Sequence, residues 1–199
     1  MKALVTNLDV VDRCLLALLQ VDGRLTHSYM ARCLGVPEAT IRRRTKRLVD
    51  EGITRFVTLP DPNKSGYGVQ VIIGLKLQPG SIRGAIAILQ PLSQVRYIGI
   101  TAGNYDLLLE TYFRDNQGLR TFLTDTLGQI PGLVSSETSY VLEIVKRSYQ
   151  IDLLAALEEL TLTAEEAVVL ERCRVTLRDL AAPGNPESDV ETESPERGT

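Results

Sequence analysis

At 199 residues the chain is longer than one small compact domain needs and fits two, each able to bury a core of its own. Its formal charge of −3 argues against an unselective polyanion binder, yet that value hides an asymmetry: residues 1–60 hold ten Lys/Arg against six Asp/Glu, and residues 61–199 hold twelve against nineteen. Its three cysteines, Cys14, Cys33 and Cys173, are far apart, form no CxxC pair and leave one thiol over, which supports neither a zinc site nor a disulfide framework. A reducing cytoplasm is the expected location. Residues 1–20 carry Asp9, Asp12 and Arg13 with no small-residue cleavage site, and no apolar run approaches the roughly 18 residues of a membrane span. A soluble protein with no membrane partner is expected.

In DVVDRCLLALLQ, Leu8, Val11, Leu15, Leu18 and Leu19 recur at helical spacing, Asp9 is placed to cap the helix, and Asp22-Gly23 ends it. Thr26 caps a short second helix with Met30, Ala31 and Leu34 on its apolar face, and Gly35 closes that helix. Pro37, with φ preset for a first helical turn, opens a third helix that Gly52 stops. Three helices with a Gly-containing connection of about three residues between the last two form the pattern of a helix-turn-helix.

The third helix contains Arg42, Arg43, Arg44, Thr45, Lys46 and Arg47. Helical spacing puts Ile41, Thr45, Leu48 and Val49 on a buried stripe, with Ala39, Thr40, Arg43, Lys46 and Arg47 opposite and Arg42 and Arg44 at its flanks. A solvated helix face is one reading of such a run, but solvated faces usually mix signs so that i,i+4 pairs form, and here Asp50 and Glu51 come only at the end. Small residues in the first turn followed by arginines suit close approach to base edges and phosphates. DNA binding through Glu38, Ala39, Thr40, Arg42, Arg43, Arg44, Lys46 and Arg47 is the favoured reading.

LDVVDRCLLALLQVDGR and MARCLGVPEATIRRRTKRLVDEGI resemble the first helix and the helix-turn-helix of the Lrp/AsnC transcriptional regulators. That family often has Ser at the position of Pro37, where a hydroxyl can cap the recognition helix and touch a phosphate; proline does neither. The resemblance implies a homodimer that assembles into higher oligomers and binds double-stranded DNA at a pseudo-palindromic site.

Residues 53–59 alternate Ile53, Arg55, Val57 and Leu59 against Thr54, Phe56 and Thr58, which predicts a short strand before the loop formers of 60–66. The family resemblance implies that this strand pairs with its counterpart in a dimer. From Tyr67 to Arg147 the pattern is strand, helix, strand, strand, helix, strand: VQVIIGLKL, SIRGAIAILQPL, VRYIGITA, DLLLETYF, NQGLRTFLTDTLG and a last strand running to about Lys146. This is a ferredoxin-like βαββαβ order. The expected class is therefore α+β, a winged-type helix-turn-helix domain over 1–52, a linking strand and loop over 53–66, and a ferredoxin-like domain over 67–147.

ITAGNYDLLLE and IPGLVSSETSYVL again resemble the family, in its effector and oligomerisation domain. By resemblance Gly103, Asn104, Tyr105 and Asp106 border a pocket for a small effector, often an amino acid, to which Ser136 and Thr138 add hydroxyls. Gly103-Asn104 also reads simply as a good hairpin turn. Residues 148–182 exceed the usual family length. Ile151, Leu154, Leu157 and Leu160, then Val169, Leu170, Cys173, Leu177 and Leu180 behind a Thr163–Glu166 capping box, predict a helical hairpin packed on the effector domain or on a neighbouring subunit. Residues 183–199 are polar, acidic and Pro-containing, the composition of a disordered tail.

No enzyme signature competes. His27 is the only histidine, and the P-loop, GxGxxG and GxSxG patterns are missing from the sequence, so neither a catalytic residue, a metal site nor a cofactor is expected. The siroheme decarboxylases resemble Lrp/AsnC proteins in architecture and form the alternative reading; the five basic residues at 42–47 speak for DNA instead.

Overall fold

The computed structural model describes residues 8–157 and 160–182, and the expected acidic tail lies outside the described residues. Two compact units emerge: residues up to Val57 join residues from Ser148 onward in the first, and Thr58–Arg147 form the second.

The first unit begins with α1 (Val10–Val21), α2 (His27–Leu34) and α3 (Glu38–Asp50). Asp9 caps α1 in a reciprocal box with Asp12, and the Thr26 side chain caps α2 through the Tyr29 N–H. Gly35 turns the chain out of α2 at φ 68°, a left-handed conformation that glycine adopts without a Cβ penalty. Pro37 then precedes α3 at φ −55° with no side-chain cap, so it stands one position before the helix and not at its first residue. The buried side of α3 is Ile41, Thr45 and Leu48; Val49, expected on that stripe, is exposed at its edge.

The second unit is a four-stranded antiparallel sheet in the order β2-β3-β1-β4, formed by β1 (Val69–Leu77), β2 (Val95–Ile100), β3 (Leu107–Phe113) and β4 (Leu133–Tyr140). Helices α4 (Ile82–Leu89) and α5 (Asn116–Thr121) cover one face, on which Val71, Ile73, Leu75, Leu107 and Leu109 meet Ala85, Leu89, Phe122 and Leu127. This is the expected βαββαβ order. The expected longer second helix instead changes pitch after Thr121, through a π-helical turn at Phe122–Thr126 and a 3₁₀ turn at Leu127–Gln129. The last strand stops at Tyr140 instead of about Lys146, leaving Leu142 and Val145 almost fully exposed.

Residues 54–59 form no strand in the single chain, and the pairing expected for them is with the counterpart segment of a dimer partner, since an alternating segment becomes a strand only where a ladder partner is present. The expectation for the C-terminal segment needs correction. The segment from Ser148 belongs to the first unit: α6 (Ala164–Leu180) lies against α1 and α2, and Leu157, Leu170, Cys173 and Leu180 are buried in the same cluster as Leu15, Leu18, Met30 and Leu34. It is not a two-helix hairpin. Ahead of α6 the described residues hold one 3₁₀ turn, Ala155–Leu157, started by the Asp152 carboxylate accepting from the Leu154 and Ala155 N–H groups. The stripe read for α6 itself, and its Thr163–Glu166 capping box, are as expected.

Candidate nucleic-acid interface and effector site

The basic run of α3 divides into residues that face outward and partly exposed residues bonded to the start of α1. Asp12, whose side chain is 1% exposed, accepts from Arg44 at 3.0 Å and, by a very short contact, from Arg47. Asp9 takes a second bond from Arg44 at 2.6 Å. Burial pushes the Asp9 carboxyl up, but its bond from the Asp12 N–H and the Arg44 guanidinium outweigh that and hold it below the usual carboxylate range. Burial likewise works against the charge on Arg44, and its bonds to Asp9 and Asp12 outweigh burial and raise its pKa. Arg44 and Arg47 therefore bind α3 to the start of α1, and the placement of Arg47 opposite the buried stripe is corrected by this tertiary contact.

Outward of that cluster, Arg42 pairs with Glu38 at 2.9 Å and Lys46 with Asp50, each an i,i+4 bridge on an exposed surface. Surface bridges of this kind contribute little and open readily to a stronger anion. Arg43 is exposed, and no hydrogen bond or ion pair engages it among the described residues. The residues one turn earlier on the helix, Ala39 and Thr40, are small.

On the second unit, the loop between β2 and β3 folds over β1. The Asp106 N–H donates to the Leu75 carbonyl, the Thr101 hydroxyl donates to the Tyr105 carbonyl at 2.7 Å, and the Tyr105 ring covers Gly74. A Cβ on Gly74 would stand 2.6 Å from that ring, so the aromatic contact requires glycine there. Across β1 the Tyr105 hydroxyl reaches the Glu137 carboxylate of β4, which raises the phenol pKa. Asp106 is not a free acid: it accepts from the Leu77 N–H at 2.8 Å and from Lys76 at 3.3 Å, the former being the larger cause of its lowered pKa. Gly103 has φ 141° and nothing within 4 Å of a would-be Cβ.

The structure gathers Gly103, Asn104, Tyr105 and Asp106 in one loop but separates them from the two hydroxyls expected beside them. Ser136 and Thr138 pair with Leu75 and Ile73, whose side chains are buried on the helix-covered face. Glu137 pairs with Gly74 and faces the other side with Tyr105. Residue period two forces this split. Glu137 and Lys76 are thus polar groups of the loop region that reading by resemblance missed; the signal available was that Glu137 alternates with the chosen hydroxyls. For Asp9 and Asp12 the missed signal was an i,i+3 acid pair matching the i,i+3 pair Arg44 and Arg47.

A helix-turn-helix unit with a basic recognition helix, joined to a ferredoxin-like unit, is the architecture of a ligand-responsive DNA-binding regulator. Residues 8–49 match the AsnC-type helix-turn-helix domain and residues 70–151 the Lrp/AsnC ligand binding domain. An HTH-type transcriptional regulator of Pyrococcus abyssi is 37% identical over 144 residues, 72% of this chain and 91% of that protein. The regulator AldR of Mycolicibacterium smegmatis is 33% identical over 141 residues, covering 69% and 82%. Among solved structures, a Neisseria meningitidis transcriptional regulator in complex with L-Met superposes with TM-score 0.70 at 27% identity, covering 75% of this chain and 99% of that one. Escherichia coli AsnC gives 0.65 at 26%, covering 72% and 97%. The chain belongs to the Lrp/AsnC family of transcriptional regulators, and α6 lies outside both matched domains.

Proposed function

We propose that this regulator reads a pseudo-palindromic site in double-stranded DNA through the outer side of α3, as a homodimer or a larger assembly, and that an amino acid bound at the 101–106 loop sets its DNA affinity. Arg43 carries the DNA part of this reading: it is exposed, unpaired among the described residues and one turn beyond Ala39 and Thr40. Arg42 and Lys46 join it when their surface bridges exchange a carboxylate for a phosphate, with Glu38, Ala39 and Thr40 nearest the bases. Arg44 and Arg47 act by fixing the pose of α3.

Assembly is supported by the apolar side chains left in water, Phe56 and Val57 on the first unit and Leu59, Leu142 and Val145 on the second. For the effector, the Lys76–Asp106 and Tyr105–Glu137 pairs put both signs of charge beside a loop with an open glycine, as a zwitterion requires. The Neisseria relative with L-Met bound favours the same class. Gel shifts across a salt series test the DNA reading: log K should fall steeply with log salt, and Arg43→Gln should weaken binding and lower the slope by about one per subunit. A salt-independent shift contradicts it.

A further inference from the structure

Helix α6 brings a cation to the turn of the helix-turn-helix. The Arg172 guanidinium lies against Gly35, so close that a Cβ there would stand 1.9 Å from Nη1. Gly35 thus has two reasons to be glycine, its left-handed φ and this contact. Arg172 is exposed, and no hydrogen bond or ion pair engages its guanidinium among the described residues. It borders the groove formed by Gly35, Val36 and Pro37 with Val168 and Val169 of α6.

The turn is a particular place in this fold. When the start of a recognition helix enters the major groove, the residues leading into it pass beside the sugar-phosphate wall. Here that approach offers little of its own: Pro37 has no N–H, and its side chain makes no cap bond. A guanidinium presents a rigid fork of donors that fits two phosphate oxygens. Two acids share the groove, Glu165 and Glu166. Glu166 is engaged by the Thr163 N–H and hydroxyl, both at 2.9 Å, and both acids lie about 10 Å along the helix axis from Arg172, near one Debye length at ordinary salt.

We propose that Arg172 is a DNA phosphate contact supplied by the C-terminal helix, so that a segment outside the family-matched domains extends the DNA-binding surface beside the recognition helix. The proposal rests on the DNA reading of α3. Its test uses the full chain, a mixed-sequence duplex several helical turns long, and fluorescence anisotropy over a salt series. Arg172→Gln should weaken binding to any sequence and lower the salt slope by about one per bound subunit, while Arg172→Lys restores the slope. Arg178→Gln, exposed in the last turn of α6, should leave it unchanged. Should Arg43→Gln lower the slope and Arg172→Gln not, the Arg172 contact is overturned and the DNA reading stands; if the unmodified chain fails to bind the duplex, the DNA reading itself falls. A lowered melting temperature for Arg172→Gln with the slope intact would assign Arg172 to support of the turn and also overturn the proposal.

Discussion

Two adjacent arginines of α3 have opposite duties. Arg43 is in water, whereas Arg44 shares the buried Asp12 with Arg47. A buried pair need not stabilise a fold relative to apolar residues, but removing one partner strands the others without compensation. Asp12→Ala should therefore destabilise the protein by about 3–5 kcal/mol in denaturant unfolding, while Arg43→Ala stays within about 0.5 kcal/mol. Equal, small effects would show that the cluster carries no stability. The pH response follows from Asp9. Its folded pKa lies below the unfolded value of about 3.9, so its contribution is present above that value and is lost as pH falls through the folded pKa. Asp9→Asn should flatten the acid side of the stability profile in that window. A sequence shows Asp9 and Asp12 as helix-starting acids, since capping is local, but their partners lie more than thirty positions away and depend on how α3 crosses α1.

Among the elements, those set by their own periodicity were legible: α1, α2, α3, the order of the sheet and the apolar stripe of α6. What was not legible is where a correct stripe docks. An amphipathic helix specifies that it must be covered, not by what. Leu170 and Cys173 are buried against α1 and α2, and Cys173 contacts the Cys14 backbone carbonyl through its thiol. That neighbouring thiol and burial push Cys14 far up, so it behaves as an apolar core group. Leu170→Ala should cost about 2–5 kcal/mol, and hydrogen exchange should locate the loss in α1 and α2 while β1 and β3 keep their protection. Loss of protection in the sheet instead would contradict the assignment of α6 to the first unit. The segment 53–59 illustrates the complementary case: its alternation is a strand pattern, yet no ladder partner lies among the described residues.

At the scale of the molecule, function requires that ligand at one unit alter what the other does to DNA. Such coupling is a differential affinity: the effector shifts DNA binding only as far as it prefers one assembly over another, and DNA changes effector affinity by the same factor. In the loop at 101–106, Tyr105 and Asp106 are tied down to Glu137, Lys76 and Leu77 while Gly103 faces open space, and the proposed effector would occupy that space. Threonine at 103 meets no clash within the chain but must adopt φ near 141° and put its branches into that space. Gly103→Thr should therefore abolish the heat of binding of the cognate amino acid in calorimetry, and with it any effector-dependent change in light-scattering mass or DNA affinity. DNA binding without effector should survive, because α3 and its Asp9–Asp12 cluster are in the other unit. For the unmodified chain, typical coupling predicts a change of roughly 5- to 150-fold in DNA affinity at saturating effector, matched by an equal change in effector affinity when DNA is added. An amino acid that binds equally well to Gly103→Thr would place its site elsewhere, and one that binds the unmodified chain without altering either mass or DNA affinity would be a passenger and not the effector.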